Sequence, residues 1–397
     1  MTTRQDQPED NMSSTDIDWQ KIHRDATVVD IHAHPSLKIS LWNRLLTTRI
    51  KSSRSFDPFS IHTDFISLKK GGVDLLLSTA YAPERGILQE CQYIKAMKYL
   101  MPRKWKKVYG QPYFDVVMQM LDLMESAVEN AIDENGVAMA TMIKSVTALE
   151  DYLQRGQDRP IGIIHNIEGA HCLEGKIDNL EKFYQRGVAY LTIAHFYANA
   201  AVHPCFPYPE SVQIAGCFKG DRNLALGLTP FGEEVIEKMI ELGMLLDIAH
   251  CTPTARRRIY AIVGKRAPII ASHVGAYAVN PDPYNLRDEE IKKISDSGGM
   301  IGVIFMNDWL MPHATKRGIN FISRTIEHLI RVGGIEHVAI GTDFDGFTDT
   351  PDDLKDAAEL PRLTQRLIAD GYSVAQIHKI LGENALRVLC QGWRKKT

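Results

Sequence analysis

The chain has 397 residues, with 46 Lys+Arg against 49 Asp+Glu for a net charge of −3, and is 44% hydrophobic and 24% charged. That balance excludes a mainly disordered chain, gives no global reason to expect a nucleic-acid partner, and suits a large soluble protein of enzyme size. Length divided by roughly 150 residues per domain suggests two or three domains, although one α/β barrel with insertions accounts for it equally.

Met1 to Asp18 is polar and mixed in charge, with no apolar stretch behind a basic start. Residues 1–18 therefore read as a frayed tail and not a signal peptide. No apolar run reaches the roughly 18 residues of a membrane span, so no membrane partner is expected. The six cysteines are scattered with no C-x-x-C pair, read as reduced thiols, and point to a cytoplasmic protein.

Short apolar runs then recur at Thr27–His32, Val73–Thr79, Val137–Met142, Pro160–Glu168, Val188–His195, Met244–His250, Pro268–His273, Met300–Met306 and His337–Asp343. Such runs, bounded by Gly or Pro, suit strands buried on both faces of a parallel sheet. Amphipathic stretches between them, such as Phe231–Leu242, Asp288–Ser295 and Ile322–Arg331, suit helices. The alternation predicts an α/β fold, a (β/α)8 TIM-like barrel forming one domain over residues 19–397. Val137–Met142 is the surplus run, and Glu129–Leu153 around it reads as nearly continuous helix. Two segments fall outside the minimal barrel: Leu37–Ser60 after the first strand, and a helical insertion at about 86–134 after the second. Both occupy places where barrel enzymes carry substrate-facing loops. Beyond Gly346, the stretches Leu360–Asp370, Val374–Leu381 and Glu383–Leu389 are expected as short C-terminal helices on the outside of the barrel.

Polar residues collect at the C-terminal ends of the runs, the active-site face of this fold. The first ends Asp30-Ile31-His32-Ala33-His34, and alternation along an extended segment points His32 and His34 into the mouth together. The others end at Glu168, His195, His250, His273 and Asp343. Any one histidine there could be structural; their recurrence on successive strands is hard to explain as packing. Four imidazoles (His32, His34, His250, His273) and one carboxylate, Glu168, suit two zinc-like divalent ions, with Glu168 as the bridge. Two such ions lower the pKa of a shared water and polarise a carbonyl, so the expected chemistry is hydrolysis by a metal-bound hydroxide. Asp343 is the candidate general base and later proton donor, and His195 the group that steadies the oxyanion. A carbamylated Lys144 is an alternative bridge, but it falls in the segment read as helical. No nucleophile elbow, P-loop or dinucleotide fingerprint stands in a suitable context.

From Val28 to about Leu389 the sequence resembles the renal (membrane) dipeptidase family of zinc peptidases, within the amidohydrolase superfamily. The resemblance rests on Asp30-Ile-His32, Ile167-Glu-Gly169, Tyr190-Leu-Thr-Ile-Ala-His195 with Asn199, Gly227-Leu-Thr-Pro-Phe-Gly232, Gly243-Met-Leu-Leu-Asp-Ile-Ala-His250, Ala271-Ser-His273, Gly341-Thr-Asp-Phe-Asp-Gly346, Gly371-Tyr-Ser373 and Lys379-Ile-Leu-Gly-Glu-Asn384. It implies a binuclear zinc hydrolase of the dipeptidase type, with His32 on one metal, Glu168 bridging, and His250 and His273 on the other. It also implies His195 as the substrate-contacting histidine, Asp343 as the catalytic Asp, and a homodimer. Two positions depart from the family pattern. His34 stands where the family has Asp, removing one negative charge. Tyr284-Asn285 stands where the family has Arg-Asn, whose Arg grips the dipeptide carboxylate; Arg287 is the nearby candidate substitute.

Cations cluster in the two extra segments: Lys38, Arg44, Arg49, Lys51 and Arg54 in the first, and Lys95, Lys98, Arg103, Lys104, Lys106 and Lys107 in the second. They form either a solvated face or a field that draws in an anionic substrate. Trp42, Trp105, Tyr113 and Phe114 there, and Asn307 to Trp309 after the seventh strand, are further candidates for substrate contact. The alternatives to a dipeptidase are an amidohydrolase acting on a non-peptide amide or lactone, and a catalytically silent barrel that binds a small ligand.

Overall fold

The computed structural model describes residues 18–393 apart from 53, 157, 206–222, 312–313 and 315–316. The segment read as a frayed tail lies outside the described residues except for Asp18, whose carboxylate caps the helix Trp19–Asp25 by accepting from the Lys21 N–H.

The strands are β1 (Val28–Ala33), β2 (Val73–Ala80), β3 (Ala140–Met142), β4 (Ile161–Glu168), β5 (Val188–Thr192), β6 (Leu245–Asp247), β7 (Ile269–Val274), β8 (Met300–Val303) and β9 (Val338–Ile340). All pairings between them are parallel, and they run β2-β1-β9-β8-β7-β6-β5-β4 before β4 returns to β2. Eight staves therefore close a TIM barrel, and they are the eight expected from the sequence. β3 pairs only with the first residues of β4 and is not a stave. The nearly continuous helix expected over Glu129–Leu153 is not formed. The helix Tyr113–Glu129 stops, and Asp133 accepts from the N–H groups of Asn135 and Val137 in a turn completed by Gly136 at φ 78°. β3 follows, and Ser145 then caps a separate helix, Val146–Leu153.

Buried side chains divide into two layers. Val28, Leu76, Ile163 and Leu246 belong to the outer layer, under the surrounding helices. Val29, Leu75, Ile164, Tyr190, Leu245, Ile270, Met300 and Ala339 form the inner one, and Ala385, Val388, Leu389 and Trp393 pack into the same cluster. The helix Asn384–Gly392 therefore closes the bottom of the barrel, which corrects its expected place on the outside. Its apolar stripe faces the strand starts, where a barrel without a plug would leave aliphatic side chains in water. The helix Pro361–Ala369 does lie outside, against Trp19–Asp25 and Ile319–Gly333.

The insertion after β2 is helical, as expected: Ile87–Glu90, Gln92–Leu100, Pro102–Tyr109 and Tyr113–Glu129. Cys91, between the first two of these, is disulfide-bonded, whereas Cys172, Cys205, Cys251 and Cys390 are free. The reading of all six cysteines as reduced thus fails at Cys91, and with it the ground for expecting a reducing compartment. Among the described residues no helix is long and apolar enough to cross a membrane.

Candidate metal centre and active site

Several staves end earlier than the sequence suggests or change register near the mouth, and this aims the polar side chains. β5, β6 and β9 stop at Thr192, Asp247 and Ile340, so His195, His250 and Asp343 each stand on the loop that follows. The β1 ladder shifts register between Asp30 and Ala33, and the β7 ladder between Ala271 and Val274, turning His32 and His273 inward at these bulges. His250 and Asp343 adopt left-handed backbone with φ of 62° and 57°, and so do Asp345 and Phe347 beside them. Such positions cost roughly 1–3 kcal/mol each and persist where the surroundings impose them. The Asp343 N–H donates to the His32 carbonyl at 2.8 Å, which pins that turn to β1.

The expected residues converge on Glu168. Its Oε1 lies 3.1 Å from His250 Nε2, 3.4 Å from His273 Nε2 and 3.6 Å from His32 Nε2. Its Oε2 lies 3.4 Å from the Nε2 atoms of both His34 and His195. Asp343 Oδ1 is 3.2 Å from His34 Nε2. All seven residues are buried, and three overlapping groups among them could each hold a metal ion: His32/Glu168/His273, His32/His34/Asp343 and Glu168/His195/His250. Lys144 is not among them; its ammonium is half exposed and pairs with Glu125 at 2.9 Å.

The donor set fits divalent cations. Tyr190 Oη donates to the Ile31 carbonyl at 2.7 Å, so at 2.8 Å from His32 Nδ1 it must accept that ring's proton, leaving Nε2 as a bare lone pair. Ser272 Oγ donates to Asp247 and so accepts from His273 Nδ1 at 2.7 Å, baring His273 Nε2 in the same way. These bare nitrogens face other imidazole nitrogens: His32 Nε2 is 3.2 Å from His34 Nε2, and His273 Nε2 is 3.0 Å from His250 Nε2. Nitrogens fixed as acceptors around a carboxylate call for a cation among them. Taking the protein groups alone, burial first and the neighbouring imidazoles second hold His32 and His273 well below the ordinary histidine range. Burial likewise pushes the Glu168 carboxyl well above its usual range, the His34 charge opposing this and Asp343 adding to it. His34 moves the other way. Burial would lower it, but the Asp343 hydrogen bond and the charges of Glu168 and Asp343 raise it.

Several supporting residues escaped the sequence reading. Glu84, buried in the loop after β2, accepts from His195 Nδ1 at 2.8 Å and from the backbone N–H groups of Phe196 and Tyr197 at 3.2 and 3.0 Å. Tyr190, Asp247 and Ser272 set ring protons from behind. Their signal in the sequence is weak, since a strand-borne Tyr or Ser reads as ordinary packing.

Above the cluster opens a cavity of about 870 Å3, with His34, Glu168, His195, His250 and Asp343 among its lining residues. Tyr284, Arg287 and Asn307 are not among them. Tyr284 is fully buried, its ring stacked on Trp309 at 3.7 Å and its hydroxyl donating to the His273 carbonyl at 2.6 Å. Arg287 lies over the Tyr277 ring at 4.2 Å, and the Asn307 side chain donates to the Thr350 carbonyl at 2.7 Å. Their neighbours Trp309, Asp308 and Met306 do line the cavity. Of the basic residues singled out in the two extra segments, Lys104 alone lines it; Lys38 is buried against Asp345 at 3.8 Å and the Pro58 carbonyl at 2.9 Å, and Arg49 pairs with Asp356 at 3.0 Å.

Comparison with known proteins places this geometry. A family profile described as membrane dipeptidase (peptidase family M19) matches residues 18–395. An uncharacterized protein from the pqqA 5′ region of Klebsiella pneumoniae is 31% identical over 72% of this chain and 100% of its own length. An uncharacterized dipeptidase of Schizosaccharomyces pombe is 26% identical over 95% of this chain and 82% of its own. Among solved structures, a Rhodobacter sphaeroides metallo peptidase liganded with a phosphinate mimic of the dipeptide L-Ala-D-Ala superposes with a TM-score of 0.72 at 22% identity, over 93% of this chain and 99% of that one. With a closed barrel, a buried carboxylate ringed by imidazoles and a profile match over nearly its whole length, the chain belongs to the membrane dipeptidase family and is a metal-dependent hydrolase.

Proposed function

We propose that this hydrolase is binuclear, uses zinc, and cleaves the amide bond of a small dipeptide or dipeptide-like substrate. One observation carries the reading: four buried imidazole Nε2 atoms converge on the two oxygens of one buried carboxylate, and those of His32 and His273 are fixed as lone pairs by proton donation on the far side of each ring. His32 and His34 would hold one ion and His250 and His273 the other, with Glu168 shared. Zinc held by these residues would supply Lewis acidity for the scissile carbonyl and for the attacking water.

The chain's own groups then manage protons and charge. Asp343, held over the cluster by its left-handed backbone and open to the cavity, takes the proton of the attacking water at a carboxylate oxygen and delivers it to the leaving nitrogen. His195 presents Nε2 to the cavity side of Glu168, where the carbonyl oxygen gathers negative charge. Its Nδ1 donates to the buried Glu84 carboxylate at 2.8 Å, and burial first and the neighbouring imidazoles second favour the neutral ring. A proton taken from bulk water at Nε2 as the oxyanion forms, and returned as it collapses, would donate to that oxyanion with Glu84 balancing the charge. The dipeptide mimic bound by the Rhodobacter sphaeroides relative supports a peptide-like substrate here.

Elemental analysis of purified protein should find two divalent ions per chain, and that protein should hydrolyse small dipeptides. Asp343→Asn should lower turnover by about 10²–10⁴-fold with both ions retained. Full turnover by protein stripped of divalent ions, or by Asp343→Asn, would overturn the proposal.

A further inference from the structure

The cavity over the metal cluster, at about 870 Å3, lies near the top of the roughly 300–1,000 Å3 range of pockets that enclose drug-sized ligands. The reacting groups occupy one part of its lining. Much of the rest comes from the two segments that a minimal barrel lacks. Leu41 and Trp42 come from the helix Pro35–Trp42, Met97 from Gln92–Leu100, and Trp105 and Val108 from Pro102–Tyr109, with Met101 at the joint of the last two helices. Methionine and tryptophan give large, adaptable apolar contact and no charged clamp.

Charge is sparse on these walls. Among the described residues no arginine lines the cavity, and the lining cation is the Lys104 ammonium, 5.2 Å from the centre of the Trp42 ring. Of the two lining carboxylates away from the cluster, Asp308 and Asp349, the second is already paired with Arg317. A short dipeptide, charged at both ends, would leave most of the apolar wall unfilled.

We propose, building on the hydrolase reading above, that the preferred substrate is an N-acyl amino acid whose medium-chain acyl or arylalkyl group fills this chamber and whose carboxylate lies against Lys104. The reaction is a hydrolysis: the amide C–N bond breaks and a C–O bond forms from water. The proton that Asp343 takes from the water passes to the departing nitrogen, so the products are a fatty or arylalkanoic acid and a free amino acid.

The test is a chain-length series of N-acyl alanines, from acetyl to dodecanoyl, with zinc-loaded protein and Ala-Ala as the small reference. We expect kcat/KM to rise about three- to fourfold per methylene up to about octanoyl and then level off. A second readout needs no turnover: decanoate should bind metal-free protein more tightly than butanoate in isothermal titration, and Met101→Arg should weaken the decanoate more than the butanoate. Lys104→Gln should raise KM for N-acyl alanines while leaving KM for their methyl esters unchanged. Hydrolysis of Ala-Ala with a flat acyl series would overturn this inference and leave the dipeptidase reading standing. Absence of any amide hydrolysis by protein carrying two ions would overturn that reading, and chain-length-dependent binding of carboxylates would then decide the chamber's ligand alone.

Discussion

Glu84 offers the sharpest test of how the site works, because it touches no metal-binding candidate except through His195. One carboxylate oxygen accepts from His195 Nδ1 and the Phe196 N–H, the other from the Tyr197 N–H. Both oxygens must therefore be acceptors. In Glu84→Gln one becomes an NH2 group and faces an N–H or the ring, so the histidine loses either its anchor or the backbone turn that carries it. Burial pushes the Glu84 carboxyl upward, with His171 and the two backbone donors opposing, and the anion is what an imidazolium at His195 would need. Losing a charge-assisted hydrogen bond in such a place costs about 2–3 kcal/mol, which is about 30- to 150-fold in kcat/KM. Steady-state rates on a dipeptide and on an N-acyl alanine, alongside metal content and far-UV circular dichroism, measure it. The same loss should appear in Glu84→Ala with two ions still bound. A variant within threefold of the parent rate, or one losing metal in step with activity, would refute the role.

Three other perturbations follow from the same contacts. A Cβ at Gly346 would sit 2.2 Å from Asp343 Oδ1 and 2.9 Å from His34 Cδ2, so Gly346→Ala should displace the proton carrier and reduce kcat about 10²-fold with the thermal transition little changed. Trp393→Ala opens the plug at the barrel bottom and should cost about 3–5 kcal/mol, read as a lower urea midpoint with kcat/KM at 25 °C unaltered. Burial, and then the charge of Asp349, push the Asp308 carboxyl up to about 6. Because that exceeds the ordinary carboxyl value, the contribution of Asp308 to stability is complete below about pH 4 and is lost as pH rises through 6. Asp308→Asn should therefore match the parent near pH 4 and exceed it by about 1–2 kcal/mol at pH 8, a figure reduced for partial solvent screening.

The barrel was legible because parallel staves are buried on both faces, so their apolar runs stand out even without alternation. Their starts fall within a residue of expectation, and so do the ends of β1, β2, β4 and β7, but β5, β6, β8 and β9 stop three residues short. His195, His250 and Asp343 leave the sheet three residues early, and hydropathy is blind to a backbone that turns left-handed. The error at Glu129–Leu153 had a readable warning: Asn135-Gly136 after Asp133 is turn chemistry, which Met and Ala in the following run concealed. The last helix was recognisable as amphipathic, but a stripe does not say which surface it covers. At the site, Glu168 and the six groups around it were readable from residue types at strand ends. Tyr284 and Asn307 were not, since position beside a mouth says nothing about which way a side chain faces. Glu84 was missed because it ends no apolar run.

The bottom seal has a bearing on biosynthesis. A nascent chain whose first 383 residues have emerged can hold every stave and every active-site group, yet the inner aliphatic cluster still opens onto water beneath them. Residues 384–393 are then a late-arriving stopper, and until they dock the half-finished barrel offers an oily ring of the kind that general chaperones bind. Yield in cells should therefore respond to chaperone supply and to changes in this stopper well before any change touches the chemistry at the opposite end.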